Sequence, residues 1–416
     1  MVAHHAFRAA AADRLVRGKG VNLDHLAWPF FEDRHRTLAS EFAEWAARRL
    51  GEFEDDEGND GRAARRIFQE LGAGGWLRWT VPMAGAKASA TQLDLRSVCI
   101  LREICAHASA IADVGLSEPW LGVLPIAIAG TDAQKSRYLT SYLQGRMLPA
   151  FALSEPGAGS DVSSLQAMAR RDGDHYVLNG RKTWTSNAGL ADFYVVFARL
   201  EDGTGPGAIS AFIVEADDSG IALEERLGVL SPHTVGTWRL EECRVPVDRL
   251  LGEPGQGSRV ALSALELFRP TVGAATLGLA RRAMDEAVSR STLRTAFGKP
   301  ISEHQLVQAK LADMAMKVDS SALLVHRAAW THDVAGKSIA REAAIAKLFS
   351  TEAAQQVVDE AVQIFGGLGT VKGVTVERLY RHIRAFRIFD GTSEIQRLII
   401  ARELLQGVRS ASSRRT

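Results

Sequence analysis

His175-Tyr-Val-Leu-Asn179-Gly180-Arg-Lys-Thr-Trp184 sets strand-forming residues on either side of an Asn-Gly pair. Asn and Gly tolerate the left-handed backbone of a two-residue hairpin loop, so this run predicts two strands around a turn. Residues 193–198 and 208–214 are rich in Val, Ile and aromatics and predict further strands. The glycines at 203–207 predict a turn, and 238–246 a closing strand. Residues 149–252 therefore read as a small antiparallel β domain.

On both sides the apolar period lengthens to that of a helix. Leu38, Phe42, Trp45 and Ala46 share one stripe, Ile67, Leu71 and Trp76 a second, and Leu95, Cys99, Leu101 and Ile104 a third. Glycines at 72–75 stop one helix, and the acidic run 52–60 reads as a solvated loop. After the turn chemistry of 252–257, amphipathic helices are expected at about 258–291, 303–334, 339–366, 373–384 and 392–407. Pro270 should bend or start a helix. The fold class is thus α+β: an N-terminal helical domain (1–148, with 1–25 an extra segment), a β domain (149–252) and a C-terminal helical bundle (253–416).

The chain has 416 residues, 46% hydrophobic and 24% charged, with a formal net charge of +1. That composition is ordinary for a globular protein and makes no electrostatic case for nucleic acid. Cys99, Cys105 and Cys243 lack the spacing of a zinc site or disulfide framework and read as buried thiols, which fits a cytoplasmic location. No metal is expected. The apolar stretch 114–130 contains Glu118, Pro119 and Pro125 and reads as too short and too broken for a membrane span. His326 and His332 lack zincin spacing and are expected near a helix surface. No GxGxxG, P-loop or GxSxG is present.

Three stretches stand out chemically. Ser154-Glu-Pro-Gly157-Ala-Gly159-Ser160-Asp161 is glycine-dense, and its backbone N–H groups could cradle an anion or a heteroaromatic edge. Arg294-Thr-Ala-Phe297-Gly298-Lys-Pro300 joins a phosphate-competent guanidinium to an aromatic face. Ile388-Phe389-Asp390-Gly391-Thr392-Ser393-Glu394 places a carboxylate between apolar residues and a helix start. Read alone, Asp390 is either a turn residue or a carboxylate tuned by an apolar pocket.

Together with Asn179-Gly-Arg-Lys-Thr-Trp-Thr-Ser-Asn187, Gln363-Ile-Phe-Gly-Gly-Leu-Gly369 and Phe389-Asp-Gly-Thr-Ser-Glu-Ile-Gln396, these stretches resemble the acyl-CoA dehydrogenase family from about residue 30 to 407. The resemblance implies an N-terminal all-α domain, a middle β domain and a C-terminal four-helix bundle. It implies FAD between the β domain and the bundle. Phe151, Leu153, Ser154, Gly159 and Ser160 correspond to flavin contacts, with Trp184 against the isoalloxazine and Ser186 near N5. Arg294, Phe297 and Gln305 correspond to pyrophosphate and adenosine contacts, completed by Gln363, Gly366, Gly367, Thr392 and Glu394 or Gln396. Substrate contacts are implied for Ser160, Glu266, Arg269 and Gly391.

The implied reaction is α,β-dehydrogenation of an acyl-CoA thioester, with Asp390 as the base. The chain departs from the family here, since most members carry Glu at that position. Some branches place the base on the helix of Arg269, where this chain has Phe268. Nitroalkane oxidases resemble the same family and use Asp at the matching position. That reading, an acyl-CoA oxidase and a non-catalytic FAD-binding scaffold are the alternatives. The resemblance further implies a homo-oligomer, tetramer or dimer, and electron-transferring flavoprotein as partner.

Overall fold

The computed structural model describes residues 20–53, 61–82, 92–203 and 205–413. The expected loop at 52–60 falls outside these from 54 onward, as does most of the segment 1–25. The chain divides into two compact units. One contains Asp56–Asp94 and Val114–Phe268; the other contains Leu95–Asp113 and Arg269–Thr416 with the chain up to Asp55.

The first unit is built on an eight-stranded sheet in the order β6-β7-β3-β2-β4-β5-β8, with β1 beside β4. Its strands are β1 (Pro149–Ala152), β2 (Met168–Asp172), β3 (His175–Ser186), β4 (Phe193–Leu200), β5 (Ile209–Glu215), β6 (Ile221–Leu227), β7 (Val235–Pro246) and β8 (Leu250–Leu251). Most pairs are antiparallel, but β1 and β2 each run parallel to β4. One face buries Tyr176, Leu178, Tyr194, Val196, Phe212, Trp238 and Cys243 together. Leu178, Val196 and Phe212 among them contribute about 1.5–3 kcal/mol each by leaving water.

The Asn179-Gly180 hairpin is corrected by the register. Both residues lie inside the single strand β3, and Asp172 pairs with His175 to close the true hairpin around Gly173. Asn179 instead sits at a bulge, where its amide bonds the Glu242 carboxylate at 2.7 Å and accepts from the Glu242 N–H at 2.8 Å. Gly173 at φ +62° supplies the left-handed residue.

The second unit is helical: α1 (Asp33–Arg49), α2 (Leu95–Ala108), α3 (Arg269 onward in the helix Gly257–Leu293), α4 (Gln305–Ala335), α5 (Ala340–Phe365), α6 (Thr375–Ile383) and α7 (Ser393–Ser413). The helix Gly257–Leu293 runs through Pro270 without ending. Asp333 on α4 caps α2, accepting from the N–H groups of Leu95 at 2.8 Å and Arg96 at 3.2 Å. Gly278 lets α3 approach α2: an added Cβ would lie 2.2 Å from the Glu103 carbonyl oxygen.

Two further expectations change. The helix Ala110–Ala129 runs through Pro119 and Pro125 for 20 residues, long and apolar enough to cross a membrane, yet 89% of its apolar window is buried in the fold. It is a core helix by packing. His326 and His332 are buried rather than near the surface. His326 stacks on His25 at 4.8 Å, and Glu103 lies 3.3 Å from His326 Nε2 and 3.4 Å from His25 Nε2. Three potential metal-ligand atoms converge there. Arg281, however, which can only donate, bonds His25 Nδ1 at 3.1 Å and Glu103 at 2.7 Å. A neutral His25 then carries its proton on Nε2, facing Glu103, where a metal would need a lone pair. The three cysteines are free and buried.

Candidate active site

In the sheet unit, β1 carries Phe151, packed on Phe197 at 5.0 Å, and leads into the glycine-dense loop. Glu155 and Ala158 exchange backbone hydrogen bonds at 3.0 Å, closing a tight turn. The Glu155 carboxylate turns inward to accept from the N–H groups of Gln166 (2.6 Å) and Ala167 (3.0 Å) and from Lys182 Nζ (2.7 Å). Lys182 also binds the Leu153 carbonyl at 3.1 Å, and Thr183 N–H binds that of Ser154 at 3.0 Å. The outer rim stays open: Ser160 is exposed, and an added Cβ at Gly157 or Gly159 would meet nothing within 4 Å.

Trp184 owes its position to a second bulge. Lys182 pairs with Trp238 and Thr185 with Gly236, so Thr183 and Trp184 oppose Thr237 alone. A bulge re-aims a side chain, and here the indole stands 61% exposed on a residue at φ +54°. Ser186, two residues on, is half-buried, with its hydroxyl 3.0 Å from His233 Nε2. That nitrogen lies 3.9 Å from the Glu118 carboxylate. His233 was not singled out from the sequence. Glu266 is half-buried, and Phe268 is fully buried against Trp120 at 5.4 Å.

In the helical unit, the Arg294 stretch is a small hairpin in which Thr295–Ala296 pairs with Lys299–Pro300. Phe297 (φ +53°) and Gly298 (φ +80°) form its turn, which leaves the phenyl ring 96% exposed. Arg290, one turn before Arg294, stacks on Phe365 at 5.7 Å, which brings this end of α3 to Gly366 and Gly367. Burial and the charge of Arg294 hold the Arg290 guanidinium below its ordinary pKa. Gln305 and Gln363 are exposed, and both glycines have open space where a Cβ would stand.

Asp390 is half-buried at φ +56°, followed by Gly391 at φ +92°. Thr392 caps α7, its hydroxyl accepting from Ile395 N–H at 3.3 Å. Glu394 is exposed, and its own backbone N–H and the Thr392 hydroxyl hold its carboxyl below the usual range. Gly391 is favoured by its φ, and a Cβ there would press on Gln396 Nε2 at 2.6 Å and lie in ordinary contact with Arg269 Nη2 at 3.8 Å. The sequence reading missed Lys347, which is fully buried on α5 and donates to the carbonyls of Phe389 and Gly391. Its signal was a lysine within a stripe of Ala343, Ala344, Ala346, Ser350 and Thr351.

Residues 32–146, 150–242 and 255–405 match, in order, the N-terminal, middle and C-terminal domains of acyl-CoA dehydrogenases. The chain belongs to the acyl-CoA dehydrogenase family. It is 37% identical over 385 residues to the 3-(aryl)acrylate reductase of Clostridium sporogenes, covering 91% of this chain and 100% of that one. It is 42% identical over 309 residues to the human mitochondrial short-chain specific acyl-CoA dehydrogenase, covering 74% of each. The solved acyl-CoA dehydrogenase from Bacillus anthracis, complexed with FAD, superposes with a TM-score of 0.83 at 30% identity, covering 95% of this chain and 71% of that one.

This acyl-CoA dehydrogenase family member is a flavin-dependent oxidoreductase for acyl-CoA-like substrates, with FAD as its cofactor. The residues present fit that group. Two aromatic side chains at positive φ stand exposed, Trp184 in the sheet unit and Phe297 in the helical unit, and each offers an open flat face. Arg290 and Arg294 crowd like charges that an anionic linker would relieve.

Proposed function

We propose that this protein catalyses α,β-dehydrogenation of an acyl-CoA thioester with Asp390 as the proton-abstracting base. The observation that supports this reading is the Asp390 carboxylate carried on a left-handed turn beside the buried Arg269, in a family that does such chemistry. A thioester Cα–H is a weak acid. A hydrogen bond from the Asp390 backbone N–H to the thioester carbonyl would stabilise the developing enolate while the carboxylate takes the proton. Bound FAD supplies the two-electron acceptor for the hydride leaving the β-carbon. Trp184, Ser186 and the 153–160 loop would hold its ring, and Arg294, Phe297, Gln305, Gln363, Gly366 and Gly367 its remainder. Ser160, Glu266, Arg269 and Gly391 would border the thioester.

Asp is one methylene shorter than the usual Glu, which favours an acyl group that brings its α-carbon deeper: branched, cyclic or aryl-substituted. The relative named 3-(aryl)acrylate reductase supports including aryl groups, and the same residues serve either direction of the reaction. The exposed Leu398, Leu404 and Leu405 on α7 support a homo-oligomer, and electron-transferring flavoprotein is the proposed acceptor.

The test is anaerobic flavin bleaching by straight, branched, cyclic and aryl-substituted acyl-CoAs, repeated with Asp390→Asn. Loss of bleaching with FAD retained is expected, and bleaching undiminished in Asp390→Asn would remove the base. Equal rates with straight-chain and cyclic thioesters would remove the preference. Asp at 390 also favours a nitroalkane-oxidase-like activity; bleaching by nitroethane but by no acyl-CoA would establish that instead.

A further inference from the structure

Three consecutive carbonyl oxygens, those of Phe389, Asp390 and Gly391, are held by two fully buried side chains. Lys347 Nζ donates to Phe389 at 3.1 Å and to Gly391 at 2.8 Å. Gln396 Nε2 donates to Gly391 at 2.8 Å and to Asp390 at 3.5 Å. The turn between them is strained, because a non-glycine residue at φ +56° costs about 1 kcal/mol or more unless its surroundings hold it.

Aspartate has only two side-chain torsions, so the backbone decides where its carboxylate lands. Glutamate has a third torsion with which to correct a misplaced backbone. A short base therefore depends more strongly on a fixed turn. Burying an ammonium at this point is costly. Burial draws the Lys347 pKa down to about 8, and the charge of Arg269 adds to this; Asp390, Glu352 and Glu394 oppose it by attraction. A fully buried cation placed this way is more than space-filling.

We propose that Lys347 is a positioning residue for the Asp390 carboxylate, its ammonium gripping the carbonyls on either side of Asp390 so that the short base is held in one place. This rests on the reading of Asp390 as the base.

The test uses FAD-loaded enzyme and the acyl-CoA that bleaches the wild type fastest. Flavin reduction is followed by stopped flow across pH, and Cα-proton exchange by mass spectrometry in deuterated water. Lys347→Met should bind the acyl-CoA within about threefold of wild type while reduction and exchange slow about 100-fold, the usual size of a small misplacement. The ionisation limb of the rate should also move to higher pH, since a cation beside the carboxylate is gone. In an Asp390→Glu background the same substitution should cost less than about 10-fold, because the third torsion compensates.

Lys347→Met at the wild-type rate across pH, with Asp390→Asn inactive, overturns the positioning role and leaves the base standing. Asp390→Asn at the wild-type rate removes the base, and this proposal with it. Should Lys347→Met fail to fold, Lys347→Gln carries the same measurement, with slowed reduction at unchanged affinity expected and the wild-type rate overturning the role.

Discussion

The Lys182 ammonium lies 2.7 Å from a carboxylate oxygen of Glu155, and both side chains are buried. The pair joins the middle of β3 to the glycine-dense loop after β1. With the Lys182 bond to the Leu153 carbonyl and the bonds from Gln166 and Ala167 to Glu155, it sets the loop's inner edge and leaves its outer rim open. Removing one member of a buried pair leaves the other charge without compensation, at a cost of about 3–5 kcal/mol. Glu155 keeps two backbone donors, which places Lys182→Met at the lower end, about 3 kcal/mol in urea unfolding. A loss under about 1 kcal/mol would mean that the pair contributes little to holding the loop.

Gly180 tests the strand register. Its φ is +154°, and an added Cβ would lie 2.5 Å from the Cβ and 2.7 Å from the Cα of Ala167. Backbone of a neighbouring segment must then move, so Gly180→Ala should cost about 2–4 kcal/mol in chemical denaturation. Gly173, in the true hairpin loop, has open space around a Cβ, and Gly173→Ala should cost only about 1 kcal/mol, from its positive φ alone. The reverse order would restore Asn179-Gly180 as the turn.

Much of the architecture could be read from hydrophobic period alone. The expected helix at 303–334 and the observed Gln305–Ala335 differ by two residues at most, because an amphipathic stripe over that length has one reading. The Asn-Gly error has a physical source: Asn179 faces a bulge carried by β7, whose Glu242 sits at φ +47°, and nothing local to Asn179-Gly180 shows that partner strand. Gly173-Asp174, between the paired Asp172 and His175, was the turn. Trp184's outward indole was unreadable for the same reason, since it depends on two residues of β3 facing one of β7. Lys347 was missed because a lysine is read as surface by default, and only the turn at 389–391 shows what it binds. His25 and His326 come together only through tertiary packing of chain segments far apart in sequence.

His326 makes stability depend on pH with a definite sign. Burial draws its pKa down to about 4 from an ordinary 6.5, outweighing the hydrogen bond to Glu103. A folded-state pKa below the unfolded one means that the unfolded chain takes up a proton the folded chain refuses. The contribution is therefore complete above 6.5 and is lost as pH falls through 4. Glu103 acts in the same direction lower down: burial pushes its carboxyl up, but the Arg281 guanidinium and the hydrogen bonds from His25 and His326 outweigh it and hold the carboxyl well below the usual range. The two separate if unfolding is compared at pH 6.5 and pH 5, above the carboxylate range. Over that interval the wild type should lose about 1.5 kcal/mol more than His326→Gln, which keeps a donor toward Glu103 but does not titrate. Equal losses in wild type and His326→Gln, measured by urea unfolding at the two pH values, would show that the buried imidazole is not held neutral by its surroundings.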